Sequence, residues 1–190
     1  MTSDHRNPTS PQPVSGAADP VPDSTVPDST VPDSTVPDRA VPDTDPIPPT
    51  EAAQLPFYDV AELRERWRAL MGPLGFDEPT LWLVVVERGT QMIPVINQLP
   101  LPHTPNRHLL DTMMEHLGQV IAASSGLSLA ALLARPGADG VTARDRGWAS
   151  MITECAARHR VPLQPLFRAN DIAVVALPGD AESGALDAAS

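Results

Sequence analysis

The sequence contains no lysine, so all 13 of its basic residues are arginine, and 24 acidic residues outnumber them to give a formal net charge of −11. Proteins that bind nucleic acids generally carry a clustered cationic surface, which displaces counterions from the phosphates. The acidic balance therefore argues against a nucleic-acid partner, and we expect a protein partner instead. The sequence does not indicate an oligomeric state.

Cysteine and long apolar runs are also scarce. Cys155 is the only cysteine, which excludes an intramolecular disulfide and a cysteine-rich zinc site. Strictly apolar runs such as residues 81–86 are far shorter than the ~20 residues that a membrane helix needs, and residues 1–30 lack the pattern of a signal peptide. We therefore expect a cytoplasmic protein with no membrane association.

Proline is abundant where aromatic residues are absent. The first 50 residues hold 12 of the 23 prolines and no aromatic residue. Within them the pentapeptide Val-Pro-Asp-Ser-Thr occurs three times in succession over residues 21–35, and two degenerate copies follow over residues 36–45. Each proline removes a backbone donor and biases the preceding residue toward extended geometry, which disfavours both helices and sheets. We predict a disordered tail over residues 1–50.

Two interpretations of the repeats are open. The first is a solubilising tail, and the second is a docking segment that displays Ser24, Ser29 and Ser34 for modification. The small and acidic residues of 179–190 predict a second disordered tail. The 128 residues between the tails, 51–178, have a length that suits one domain with one core.

Hydrophobic periodicity in residues 51–178 predicts the element order αββαβαββ, an α/β layered domain with a mixed sheet. The predicted helices begin at Asp59, Thr104 and Thr142, and the predicted strands cover residues 81–86, 91–97, 127–134, 163–168 and 172–177. The apolar run 127–134 is typical of a buried central strand. Pro94 makes the second strand an edge strand or a bulged one. Asn170 and Asp171 tolerate the positive φ of a tight hairpin and are expected to join the last two strands.

One loop of this domain gives it a family resemblance. The central strand runs into Ala134-Arg135-Pro136-Gly137, a helix start at Thr142 carries Asp145 in its first turn, and Glu78 precedes the first strand. This organisation, over roughly residues 78–177, resembles the JAB/MPN metalloprotease-like domain, and specifically its RadC-type branch. In that family a Glu opens the first strand, the central strand ends in His-x-His-Pro-Ser-Gly, and an Asp follows at the start of the next helix.

The resemblance implies a zinc ion held by two His and the Asp, with the Glu helping to deprotonate a zinc-bound water. When Pro136 is aligned with the family's Pro, the His positions carry Leu133 and Arg135, neither of which has an electron pair to give to a metal. The resemblance therefore implies a vestigial site made of Glu78, Leu133, Arg135 and Asp145. In that site, Arg135 is expected to bridge the two carboxylates.

The other interpretation of these residues is that Glu78 is a loop carboxylate before a strand and Asp145 is only a helix cap. We accordingly expect a non-catalytic interaction or regulatory module, with no catalytic residue, no bound metal and no cofactor. A metal-dependent hydrolase with an atypical ligand set stays open as the alternative. Its ligands would be Glu78, Asp145 and His103, the last supplied by the Pro-rich loop before the second helix.

Three other groups of residues are interpreted as structural. His108, Asp111 and Glu115 share a helix face opposite the apolar stripe and predict a solvated surface. Cys155 and His159 have the spacing of a thiol and a base, but they share the face of apolar residues and predict core packing. The arginines at 64, 66 and 68 alternate with glutamates at 62 and 65, which is typical of surface ion pairs.

Overall fold

The computed structural model describes residues 39–178 of the chain, and the structure reported below is that of these residues. They form three α-helices and five β-strands, which confirms the α/β class and the mixed sheet. In chain order the elements are a 3-10 helix at Thr50–Gln54, α1 (Val60–Met71), β1 (Thr80–Glu87), β2 (Gln91–Pro100), α2 (Arg107–Ala122), β3 (Leu127–Ala134), α3 (Ala143–Arg158), β4 (Phe167–Ala169) and β5 (Val174–Ala176).

The strands form one open sheet in the order β2-β1-β3-β4-β5. The pair β3–β4 is parallel and the other three pairs are antiparallel. β3 occupies the centre of the sheet, and every one of its residues after Leu127 is buried. The predicted central position of this apolar run is therefore confirmed.

The alternation of β3 divides the core into two clusters. Leu129, Ala131 and Leu133 contribute to the cluster that also contains buried residues of α2 and α3. Their neighbours Leu132 and Ala134 contribute to the cluster that contains buried residues of α1. Successive side chains of a strand point to opposite faces, so helices cover both faces of the sheet and the fold has three layers.

Side-chain caps define where the helices begin. The Asp59 side chain accepts a hydrogen bond from the Glu62 amide at 2.7 Å, and Thr142 and Asp145 form a reciprocal capping box at α3. The expectation for α2 is wrong, because its N-cap is Asn106 and not Thr104. Asn is a stronger N-cap residue than Thr, and its side chain accepts from the Leu109 amide at 3.1 Å.

The β1–β2 hairpin turns at Arg88 and Gly89, whose φ values are 52° and 72°. β2 lies at an edge of the sheet. Its register with β1 shifts between Val84 and Val86, next to Pro94. The predicted edge position and irregularity at this proline are both confirmed.

The expected turn between the last two strands is wrong in its geometry. Asn170 and Asp171 do not have positive φ, since the non-glycine residues with positive φ in the described range are Arg88 and Arg160. The Asn170 Oδ1 atom accepts hydrogen bonds from the Ile172 and Ala173 amides at 3.2 and 2.9 Å. An Asx turn therefore reverses the chain with ordinary backbone angles.

The segment 39–49, which we call the strap, packs on the domain although its composition predicts a tail. The amide of Ala40 donates to the Ala138 carbonyl at 3.1 Å, and the amide of Asp43 donates to the Ile172 carbonyl at 2.8 Å. The N-terminal boundary expected at residue 51 is therefore too late. Few backbone hydrogen bonds hold the strap on the domain, because ion pairs of Asp43 with Arg64 and Arg68 add to them. The exact repeats with Ser24, Ser29 and Ser34, and residues 179–190, lie outside the described residues.

Within residues 39–178 no helix is both long enough and apolar enough to cross a membrane.

Candidate functional site

An ion pair occupies the place where the central strand ends and α3 begins. The Nε–H of Arg135 donates to Oδ1 of Asp145 at 3.0 Å, and its Nη2 donates to Oδ2 at 3.2 Å. The two side chains are 14% and 5% exposed. This is the bidentate geometry in which a guanidinium holds a carboxylate most strongly.

Local structure holds both partners in place. Asp145 belongs to the capping box of α3, and its Oδ2 accepts from the Thr142 amide at 2.8 Å. Arg135 directly follows β3, and its Nη2 also donates to the Gly140 carbonyl at 2.9 Å. The carboxylate is therefore bound by Arg135 and by a backbone amide at the same time.

The space beside this ion pair is small. A cavity of about 20 Å³ is lined by Leu133, Arg135, Asp145 and Trp148, among other residues. Its volume corresponds to about one water molecule. The indole N–H of Trp148 is buried and lacks a hydrogen-bond partner among the described residues. The site thus brings three of its four predicted residues together beside a cavity that holds about one water molecule.

Glu78 does not join the ion pair. It is exposed, and within the described range its side chain forms no ion pair with Arg135. The expectation that Arg135 bridges two carboxylates is therefore wrong for Glu78. β1 begins two residues later, at Thr80 opposite Ala134. Glu78 thus lies just before the start of β1, where an unpaired carboxylate remains in contact with water.

The alternative ligand set does not come together either. His103 contacts the neighbour of Asp145 in sequence, with its Nδ1 3.3 Å from Nη1 of Arg144. Among residues 39–178, no group of three or more His, Cys, Asp or Glu side chains could hold a metal ion. The alternative combination of Glu78, Asp145 and His103 is therefore not found among these residues, and the Asp145 carboxylate is bound by Arg135.

A second arginine belongs to this region, and the sequence reasoning missed it. Arg168 on β4 pairs with Leu133 on β3 and is 1% exposed. Its Nη1 donates to the Asp139 carbonyl at 3.1 Å, while its buried Nε has no partner in the described part of the chain. Burial lowers the pKa of Arg168, the charge of Arg135 lowers it further, and Asp145 opposes both. In the sequence, the signal for Arg168 was its charge within the otherwise uncharged predicted strand 163–168.

The helix face with His108, Asp111 and Glu115 is solvated only in part. His108 and Glu115 are exposed, whereas Asp111 faces α3, where Nη1 of Arg158 lies 2.6 Å from its Oδ1. Loss of hydration raises the pKa of Asp111, but the hydrogen bond from Cys155 and the charge of Arg158 outweigh it and leave the pKa below its ordinary value. Asp111 therefore connects α2 to α3.

Cys155 lies in the core, as its helix face predicts. It is 0% exposed. Burial raises the pKa of its thiol, and the nearby Asp111 carboxylate raises it further. The Nε2 atom of His159 lies 3.4 Å from Oδ1 of Asp111. A reactive cysteine needs a lowered pKa, so the arrangement is the opposite of an activated nucleophile.

The arginines of α1 form the expected ion pairs with Glu65 and also bind the segment that precedes the helix. Arg64 and Arg68 bind Asp43 of the strap, although both also pair with Glu65. Arg66 donates to the Leu55 and Pro56 carbonyls at 3.1 and 3.0 Å. The helix therefore uses its arginines to hold the segment that precedes it.

A larger cavity, of about 350 Å³, lies between α3 and the segment around Pro165. Its lining is mostly apolar and includes one charged residue, Arg146, whose Nη1 donates to the Val141 carbonyl. No acid, base or thiol lines this cavity. Its polar lining consists of Arg146, Ser150, Thr153 and Gln164.

The fold and the site together define an α/β domain in which the charges of Arg135 and Asp145 pair with each other where the central strand ends. Comparison with protein-family models, with curated proteins and with solved structures finds no match to this chain.

Proposed function

We propose that the chain is a non-catalytic interaction or regulatory module with a JAB/RadC-like organisation, which acts in the cytoplasm on a protein partner. The observation that carries the proposal is the Arg135–Asp145 ion pair. It occupies the positions that the resemblance assigns to one metal-binding histidine and to the metal-binding aspartate.

The chemistry of the pair supports this function. A guanidinium supplies the positive charge that a metal ion would otherwise supply, but it binds no water that could act as a hydroxide. Leu133 lines the same small cavity as the ion pair and has no ligand atom. A hydrolase would need an open coordination position and space for a substrate, whereas the cavity has a volume of about 20 Å³.

Metal binding tests the proposal. The full chain is loaded with zinc, desalted and assayed for bound metal and for peptide and isopeptide hydrolysis, with Asp145→Ala as the matched control. We expect no retained zinc and no hydrolysis. Near-stoichiometric zinc that the Asp145→Ala substitution removes, together with hydrolysis, would overturn the proposal.

A gain of metal binding tests the assignment of the positions. In the double variant Leu133→His/Arg135→His, two imidazoles and the Asp145 carboxylate form the ligand set of the family. We expect this variant to retain zinc and the additional substitution Asp145→Asn to abolish retention. Circular dichroism confirms that each variant is folded. A folded double variant that binds no zinc would show that these residues do not correspond to the family's ligands.

A further inference from the structure

The strap is held by one aspartate. The Asp43 carboxylate forms ion pairs with Arg64 and Arg68 of α1, and its Oδ2 accepts from the Val174 amide of β5 at 3.1 Å. Two helix arginines and the backbone of an edge strand therefore surround a single carboxylate. We call the residues that bind it, Arg64, Arg68 and Val174, the aspartate site.

The remaining strap contacts near this site are made by the backbone. The amide of Asp43 donates to the Ile172 carbonyl at 2.8 Å, and Nη2 of Arg68 donates to the Asp45 carbonyl at 2.6 Å. Val41 is 81% exposed. The domain therefore binds an extended backbone that carries an aspartate, and the exposed Val41 side chain contributes little to this binding.

The aspartate site needs a carboxylate from outside the helix. Arg68 is 5% exposed, and Arg64 is 25% exposed. Glu65 is the acidic partner within α1 that contacts both. When Asp43 leaves, two arginines share one carboxylate and the Val174 amide loses its acceptor. A buried guanidinium without enough counter-charge is costly, so the site favours any extended segment that supplies another carboxylate.

The strap does not fill the groove in which it lies. A cavity of about 300 Å³ is lined by Asp43 and Asp45 of the strap together with Arg68, Gly72 and Ile172. This volume is large enough for several additional side chains. A segment with larger residues at the same positions can therefore be accommodated.

The sequence contains further segments of the same kind. Asp43 is the third residue of the degenerate copy at residues 41–45, where it follows Val-Pro. Asp23, Asp28 and Asp33 follow Val-Pro in the three exact copies. These copies therefore offer the site the same aspartate, next to a proline that has no N–H to donate and a valine that corresponds to the exposed Val41.

We propose that the aspartate site is a peptide-binding site for Val-Pro-Asp segments, that the strap is its built-in ligand, and that the repeats of a second copy of this chain are its exchange ligand. Each chain has one such site among its described residues, which its own strap fills, and its sequence holds four further Val-Pro-Asp segments before residue 41. Exchange then joins copies of the protein reversibly. This proposal rests on the proposed function only in treating the domain as a binding module.

Peptide binding in trans tests the site. The probe is a fluorescein-labelled peptide of residues 21–35, and its control carries Asn at positions 23, 28 and 33. The protein is the full chain with Asn in place of Asp23, Asp28, Asp33, Asp38 and Asp43, which removes every Val-Pro-Asp aspartate of the chain itself. We expect the anisotropy to rise to saturation with the Asp peptide, with a Kd at least about tenfold lower than for the wild-type chain. Salt should weaken this binding, and the Asn peptide should not bind.

Two further measurements complete this test. Adding Arg64→Gln to the five-site variant is expected to abolish binding of the Asp peptide. Should the five-site variant prove unfolded by circular dichroism, a titration of the wild-type chain at millimolar peptide replaces it, with the Val174 amide resonance as the readout. A folded protein that binds the Asp and Asn peptides equally, or a Val174 resonance that does not move, would overturn the aspartate site.

Sedimentation velocity identifies the source of the ligand. Asp43→Asn weakens the strap and keeps the exact repeats, so we expect it to self-associate with rising concentration, while the five-site variant stays monomeric. A monomeric Asp43→Asn protein would overturn the second copy as the source. The peptide and sedimentation results do not depend on metal. If the peptide does not bind and no zinc is retained, the proposed function still stands. If zinc-dependent hydrolysis is found, it overturns the proposed function and leaves the peptide site untouched.

Discussion

Replacement of Arg135 by methionine tests the central ion pair. The substitution removes the guanidinium and keeps an apolar stem of similar length. Asp145, whose side chain is 5% exposed, then retains a single hydrogen bond from the Thr142 amide to its Oδ2. Breaking a buried ion pair by removal of one partner costs about 3–5 kcal/mol. We expect a loss of about 3 kcal/mol in the free energy of unfolding, at the low end of that range, because the amide still binds the carboxylate.

The double variant Arg135→Met/Asp145→Asn is the matched control. Asn keeps the acceptor for the Thr142 amide and removes the charge, so the double variant should be more stable than Arg135→Met alone. Urea unfolding at pH 7, followed by circular dichroism, measures wild type, the single variants Arg135→Met and Asp145→Asn, and the double variant. A loss below about 1 kcal/mol in Arg135→Met is what an exposed pair gives. Such a loss, or strictly additive effects of the two substitutions, would refute the conclusion that the pair is buried and coupled.

Three further predictions concern the helices. Gly118→Ala would place a Cβ 2.8 Å from a backbone carbonyl oxygen just beyond α3, so we expect it to destabilise the fold by about 1–3 kcal/mol. The Cβ of Gly147→Ala would meet nothing nearer than 4.0 Å, so this variant should stabilise the fold by up to about 1 kcal/mol in urea unfolding. Equal effects of the two would contradict the contact. Hydrogen bonding and charge from Arg107 lower the pKa of Glu154 below its ordinary value of 4.5, so the advantage of wild type over Glu154→Gln is present above that pH and shrinks as the pH falls below it. An advantage that does not change with pH would contradict the ion pair. Burial raises the pKa of the Cys155 thiol, so Ellman's reagent should react with it only as fast as the protein unfolds, and rapid reaction of the native protein would contradict its burial.

The elements that the sequence predicted well are those with a local physical cause. Asp59 and Thr142 cap helices through hydrogen bonds to amides three residues ahead, so a short window contains the whole interaction. The central strand was predictable because an apolar run of this length has no exposed face. Leu133, Arg135 and Asp145 met as expected because one strand end and the following helix start bring them together.

The features that the sequence did not predict depend on partners far along the chain. Arg168 is buried because β4 pairs with β3 in parallel, and nothing within its own run indicates that neighbour. The strap has the composition of a tail, since prolines remove donors and apolar residues are few. Its order comes from Arg64 and Arg68, which follow Asp43 by more than 20 residues. Composition indicates how much apolar surface a segment can bury, and it contains no information about contacts that a distant helix makes with that segment.

Two arginine–aspartate clusters of the domain, Arg135 with Asp145 and Arg64 and Arg68 with Asp43, differ in how firmly the aspartate is attached to the fold. Arg135 receives its carboxylate from Asp145, ten residues away on a helix that cannot leave the fold. Arg64 and Arg68 receive theirs from Asp43 on a strap that crosses the surface, and the same tripeptide recurs upstream. A buried cation requires a counter-charge in either case. Asp145 belongs to a helix of the folded domain, so its cluster with Arg135 is a closed structural element. Asp43 belongs to a segment whose sequence recurs upstream, so its cluster with Arg64 and Arg68 is the one at which ligands can be exchanged.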